Sequence, residues 1–197
     1  MTRLFGSRII RMGWILVVVV TLAIMLPVGL AFAHDFSLPF KWDTDVTITV
    51  ESRIPQSAHV HSAADDYDDN TDLTVKRCSP DSECGNVIHY DGYYGPSEPV
   101  AWASPYSYSV KCTNDEHELT GYCNETNHKV DFAYIYYNTH YTYDDLLVAV
   151  LARHEMGHVW GLNHTPCSVA SVMKPGTCQN QYGNLQQHDK NDVNAKY

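Results

Sequence analysis

The stretch His154 to His164, reading H-E-M-G-H-V-W-G-L-N-H, constrains this chain more than any other. On a helix, His154 and His158 lie one turn apart on one face, so their imidazoles can grip a single metal ion. Glu155 sits beside the pair; it cannot usefully bind the ion its helix neighbour holds, but it can reach a water there and act as general base. Gly161 is placed to stop the helix, because glycine enters a left-handed turn without strain, and the reversed chain can bring His164 round as a third nitrogen ligand. Three neutral histidines suit one zinc ion and leave a fourth position open, the pattern of a catalytic site. Five fixed positions of this kind would coincide in about seven of 100,000 chains of this composition, which sets aside unrelated surface histidines.

The pattern H-E-x-x-H-x-x-G-x-x-H resembles the zinc signature of the metzincin endopeptidases, which also carry a methionine turn downstream. Ser171-Val172-Met173-Lys174-Pro175 is similar to that turn. The tail from Leu185 to Tyr197 is similar to the last helix of the matrixins, the metzincin group of the matrix metalloproteinases and their bacterial relatives. The likeness is specific over 131–197 and faint before it. It implies an α+β, zincin-like fold: a twisted, mostly parallel sheet with an antiparallel edge strand, a buried active-site helix, the Met-turn and a C-terminal helix. It also implies that His154, His158 and His164 hold zinc, that Glu155 is catalytic, and that Met173 is an apolar floor beneath the histidines. Some metzincins place a tyrosine two residues after the turn methionine; here that residue is Pro175.

Residues 1–33 read as an export signal. Arg3, Arg8 and Arg11 form a basic head, Trp14 to Leu30 an apolar run, and Ala31-Phe32-Ala33 a small-x-small cleavage site before His34. An uncleaved anchor over residues 13–30 is the alternative, since that run approaches the roughly 20 residues that span a bilayer. Removal leaves 34–197 as a single matrixin-like catalytic domain, expected to be secreted and monomeric. That portion has 10 basic and 23 acidic residues, a net charge of −13, which argues against nucleic acid or an anionic membrane as partner.

All six cysteines, Cys78, Cys84, Cys112, Cys123, Cys167 and Cys178, lie in the exported portion, and an even count there implies disulfides. Sequential pairing closes three short loops and is the preferred of fifteen arrangements; Cys167 with Cys178 would bracket Met173. No C-x-x-C pair favours metal binding by these cysteines. Arg77-Cys78-Ser79-Pro80-Asp81 is faintly similar to the matrixin propeptide motif but departs from it beside the cysteine, so Cys78 is read as structural.

Before the signature, the alternation Val46, Ile48, Val50 marks a first strand, and short strands follow around Val75, Val87, Trp102 and Tyr106. The segment 57–72 admits helix or loop. Its acids Asp65, Asp66, Asp68, Asp69 and Asp72 invite calcium as a second cofactor, but they miss the EF-hand spacing and a solvated acidic loop is preferred. His59 and His61 would share a face on a strand. His89 and Asp91 fall where larger matrixins carry extra ions, although the long loop of those relatives is missing. Lys129 to Asn138 alternates with strong β-formers and is assigned as the edge strand along which an extended protein or peptide substrate pairs. Thr142-Tyr143-Asp144-Asp145 reads as a capping box that opens the metal helix, apolar nearly all round from Leu146 to Leu151.

The function expected is a secreted zinc endopeptidase that hydrolyses internal peptide bonds of extended protein substrates. The alternative is an inactive secreted binding module that keeps the fold and the zinc.

Overall fold

The computed structural model describes residues 40–42, 47–78, 85–107, 110–111 and 130–197. Residues 1–33, on which the signal and anchor readings rest, lie outside the described residues, as do Cys84, Cys112 and Cys123. In chain order the elements are β1 (Ile48–Ser52), α1 (Ser57–Asn70), β2 (Val75–Arg77), β3 (Val87–Gly92), β4 (Ala101–Ser107), β5 (Val110–Lys111), β6 (Phe132–Asn138), α2 (Asp145–Val159) and α3 (Gln187–Lys196). The strands form one sheet in the order β2-β1-β3-β6-β4-β5. The pairs β1 with β2, β1 with β3 and β3 with β6 are parallel; β4 runs antiparallel to both β6 and β5. The class is therefore α+β, with a mostly parallel sheet and an antiparallel edge.

The expected edge strand is corrected. The strand in Lys129 to Asn138 is β6, which is flanked by β3 from Ala133 to Asn138 and by β4 from Phe132 to Tyr137. Strong β-formers fit a central strand as well as an edge, so the sequence pattern could not separate the two. Proline separates them better: Pro105 has no N–H to give to a ladder and sits in β4, the strand that lies outside β6.

One face of β6 buries Ala133, Ile135 and Tyr137 in a core shared with Val50, Val87, Val60, Tyr67, Val148 and Met156. The other face carries Phe132, Tyr134 and Tyr136, half-buried, with rings meeting Trp102, Tyr106 and Tyr90. Segment 57–70 folds as a helix because Val60, Ala63, Ala64 and Tyr67 recur at helical spacing and all are buried. Its acids are not a solvated loop: Asp65 pairs with Arg77, Asp66 with Arg153 and Asp68 with Lys76. Helical geometry also turns His59 and His61 about 200° apart rather than onto one face; His59 approaches Asp145 at 3.5 Å instead.

At the C-terminal end of α2, the carbonyl oxygens left without helical partners need donors. The Trp42 indole N–H donates to Val159 O at 2.9 Å, and the Tyr197 hydroxyl donates to Trp160 O at 3.1 Å. The chain then reverses at Gly161 with φ +81°, where a side chain would meet Phe40 O at 2.7 Å. Gly161→Ala should lower the unfolding free energy by roughly 1–3 kcal/mol, combining left-handed strain with overpacking. Urea denaturation of the two proteins checks this, and an unchanged midpoint would refute the turn's role.

Candidate metal centre

Helix α2 is capped by Asp144, whose carboxylate accepts from Leu147 N at 2.7 Å, so the cap lies two residues after Thr142, which the expected capping box made the N-cap. Every residue from Ala152 to Val159 is buried, including four polar ones: Arg153, His154, Glu155 and His158. Buried polar groups must find partners, and each of these does so through a different part of the fold. Arg153 donates to Asp66 at 2.6 Å and to Ser62 Oγ at 3.0 Å, while the Tyr67 hydroxyl donates to Arg153 O at 2.9 Å. These contacts lock the metal helix onto α1.

His154 Nδ1 lies 2.8 Å from Val172 O, and His158 Nδ1 lies 2.9 Å from Leu162 O. A carbonyl only accepts, so both Nδ1 atoms carry the proton and both Nε2 atoms present lone pairs. Those Nε2 atoms are 3.2 Å apart, and His164 Nε2 stands 3.1 Å from His154 Nε2 and 3.2 Å from His158 Nε2. Burial pushes His154 down to about 4, against the pull of the Val172 carbonyl, and His164 adds to the push. Burial, and then the two neighbouring imidazoles, hold His158 well below the usual histidine range. Neutral imidazoles whose lone pairs converge at this spacing repel one another until a cation stands between them. The three histidines lie close enough to bind one metal ion, and among the described residues no other such cluster of three His, Cys, Asp or Glu side chains occurs.

Met173 is 1 % exposed and packs against α2. A side chain at Gly157 would collide with Met173 Sδ, so this glycine, at a position the signature leaves open, lets the turn at Met173 press against α2. Asp189, in the first turn of α3, holds that turn in place. It accepts from the Ser171 hydroxyl, from Val172 N at 3.0 Å and from Gln186 N at 2.8 Å. Burial raises the Asp189 carboxyl above the usual range, and the three hydrogen bonds pull the other way. One carboxylate thus ties the C-terminal helix to Val172, whose carbonyl orients His154. The resemblance of the tail rests on a leucine, an acidic residue, an aliphatic residue and a tyrosine at this spacing, but the contact of Asp189 with Ser171 and Val172 was not readable, because only the folded chain brings them together.

Cys167 and Cys178 form a disulfide across this turn, and Cys78 is bonded to a cysteine outside the described residues. Glu155 is 4 % exposed; burial pushes its carboxyl up to about 8, and a hydrogen bond from the Ala103 backbone amide pulls it down. This link to β4 was invisible in the sequence, since Ala103 has no side-chain chemistry to notice. His89 belongs to a different environment. It is fully buried, lies with Nδ1 2.9 Å from the Tyr137 hydroxyl, and is pushed down to about 3 by burial and then by His61.

No protein-family model and no curated protein matches this chain.

Two outcomes follow from this geometry. The folded protein should take up one divalent metal ion, gaining about 2.7 kcal/mol of stability when the free ion is at 100 times its dissociation constant. Metal analysis and thermal melts of wild type and His158→Ala check this, with the variant losing the metal-dependent shift. Replacing Cys167 and Cys178 together by alanine should cost roughly 2–4 kcal/mol, measured by denaturant unfolding.

Proposed function

We propose that the chain is a secreted, matrixin-like zinc endopeptidase, with residues 34–197 as its catalytic unit. The observation that carries this reading is the convergence of His154, His158 and His164 through Nε2 atoms 3.1 to 3.2 Å apart, with the Glu155 carboxylate on the same helix. A tetrahedral ion with bonds of about 2.0–2.1 Å separates its ligand nitrogens by about 3.3–3.4 Å, close to this spacing. Nitrogen-only ligation by three neutral imidazoles suits zinc and leaves one coordination position for a reactant. Bound there, zinc supplies a Lewis acid that polarises a carbonyl and brings the pKa of water to roughly 7.

The protein's own groups account for the rest of the chemistry. Asn138 N donates to Val100 O at 2.9 Å, so Val100 turns its polar groups toward β6. Alternation along a strand then turns those of Ala101 and Ala103 to the outer side of β4. Ala103 spends its amide on Glu155 and keeps its carbonyl on that same outer side. An extended peptide laid along β4 can therefore donate to this carbonyl next to the catalytic carboxylate, a strand-addition mode of binding. Beyond Ala103 the edge closes, because Pro105 has no N–H and Tyr106 and Ser107 pair with β5. Glu155 takes the proton from the attacking water and delivers it to the departing amide nitrogen as the peptide bond breaks. Its burial keeps that proton from bulk solvent.

Cleavage of an unstructured protein such as casein tests the proposal. Wild-type 34–197 loaded with zinc should cut it, and a chelator should stop the reaction. Glu155→Ala should retain one zinc and lose roughly 10²- to 10⁴-fold in kcat/KM. A folded wild type that holds one zinc yet cuts nothing across a broad peptide library would make the fold a binding module and overturn the endopeptidase reading.

A further inference from the structure

Five buried side-chain atoms have no hydrogen-bond partner among the described residues: Ser52 Oγ, His89 Nε2, Ser104 Oγ, Trp160 Nε1 and Thr165 Oγ1. Two of the five are neighbours. Ser52 in β1 and His89 in β3 are register partners across a parallel pair, so their side chains leave one face of the sheet from strands about 4.8 Å apart. That face is the core face, since Val50 and Val87, earlier on the same face of these strands, are themselves register partners and fully buried.

Covalent geometry sets which way His89 Nε2 faces. Strand β3 lies between β1 and β6, and His89 Nδ1 is turned toward β6, 2.9 Å from the Tyr137 hydroxyl. The two nitrogens of an imidazole lie on opposite flanks of the ring, so Nε2 is left facing the β1 side, where Ser52 stands. Counting donors then places the proton. His89 Nδ1 is the acceptor that engages the Tyr137 hydroxyl, so Tyr137 donates and the ring carries its own proton on Nε2. A buried N–H with nothing to accept it is costly, and Ser52 Oγ beside it offers both lone pairs and a proton. No direct bond joins the two. A single water spans a gap of this size, accepting from one group and bonding the other.

The surroundings supply an entry. Ile54 and Asp91, two residues on from Ser52 and His89, line a cavity of about 110 Å³ with Tyr137, Thr139 and Tyr143, at the carboxyl ends of the parallel strands β1, β3 and β6. The cavity has room for several waters and reaches the surface at Pro55 and Asp91, both exposed. On the core side α1 packs against β1, with His61 near enough to act on the charge of His89.

We propose that one buried water is held between Ser52 Oγ and His89 Nε2 as a fixed part of the protein. It accepts from the His89 N–H and hydrogen-bonds Ser52, completing a polar chain from β1 through β3 to Tyr137 in β6. Burial, and then the Glu155 carboxylate, raise the Tyr137 hydroxyl well above its ordinary range, so the chain ends beside the metal helix. Tyr137 gives its proton to His89 rather than to Glu155, whose carboxylate is left to the Ala103 amide. The water site does not depend on whether a peptide is cut.

Crystallography and nitrogen NMR of the folded, zinc-loaded protein test this. Electron density at high resolution should show one ordered water within hydrogen-bond distance of both Ser52 Oγ and His89 Nε2. Long-range proton–nitrogen spectra should show His89 neutral, with its proton on Nε2 and a cross-relaxation peak from that proton to water. Ser52→Thr keeps the hydroxyl and should keep the water. Ser52→Val has the same shape without the hydroxyl, so it should lose the water, strand the His89 N–H and unfold with an equilibrium constant about tenfold larger than that of Ser52→Thr. Density without a water there, a direct bond between Ser52 and His89, a proton on Nδ1, or equal stability of the two variants overturns the proposal. If either variant fails to fold, the density and spectra of wild type decide it.

Discussion

Three imidazole Nε2 atoms gathered within 3.1 to 3.2 Å of one another are the interaction around which the rest of this structure is arranged. Such a set is repulsive by itself and useful only when the rings cannot turn away. Two carbonyls prevent the turning, and neither belongs to a residue that looks functional. Val172 O fixes His154 and Leu162 O fixes His158, each taking the Nδ1 proton and so choosing the tautomer that leaves Nε2 bare. The centre therefore depends on backbone placed by the methionine turn and by the reversal at Gly161.

Fixing that backbone draws on most of the fold. Asp189 reaches from the last helix to Ser171 and Val172, and Met173 fills the space that Gly157 leaves open. Arg153 and Tyr67 bind the metal helix to α1, while Trp42 and Tyr197 close its C-terminal carbonyls. Rings at 5.7 and 5.9 Å from Trp160, those of Tyr67 and Trp42, pack the same end. Residues 155 positions apart, Trp42 and Tyr197, thus meet at the end of the metal helix. Ligand geometry held from this many directions is what a site needs when a displacement of one ångström costs activity.

The sheet also bears on Glu155. The Ala103 amide faces Glu155 and favours its ionised form, while the metal helix packs directly on this outer long strand. Beneath, the aromatic face of β4 and β6 stiffens that strand: Tyr106 stacks on Phe132 at 4.9 Å and Trp102 on Tyr136 at 5.1 Å. On the proposed reading, in which β4 takes up an extended peptide by its backbone, the strand gains from being held by its neighbours' rings.

Local chemistry made some of this legible in the sequence. The spacing of His154 and His158 follows from the helical period and the turn at Gly161 from the absence of a Cβ; the start of the metal helix was readable from Thr142-Tyr143-Asp144-Asp145, although Asp144 rather than Thr142 proved to be the cap. These are properties of a few adjacent residues. Alternation in β1 and β6, and the pairing of Cys167 with Cys178, were readable for the same reason. Position within the sheet was not, because β-formers pack equally well in a central strand, and β6 proved to lie inside β4. Nor was the helix at 57–70 separable from a loop, since its acids look solvated until Arg77, Arg153 and Lys76 are brought to them from elsewhere. By itself the sequence determined which atoms can bind an ion and on what local frame. Only the tertiary structure decided which carbonyl orients each ring, which carboxylate steadies the turn and which strand borders Glu155, because those partners are set by packing between segments far apart in the chain.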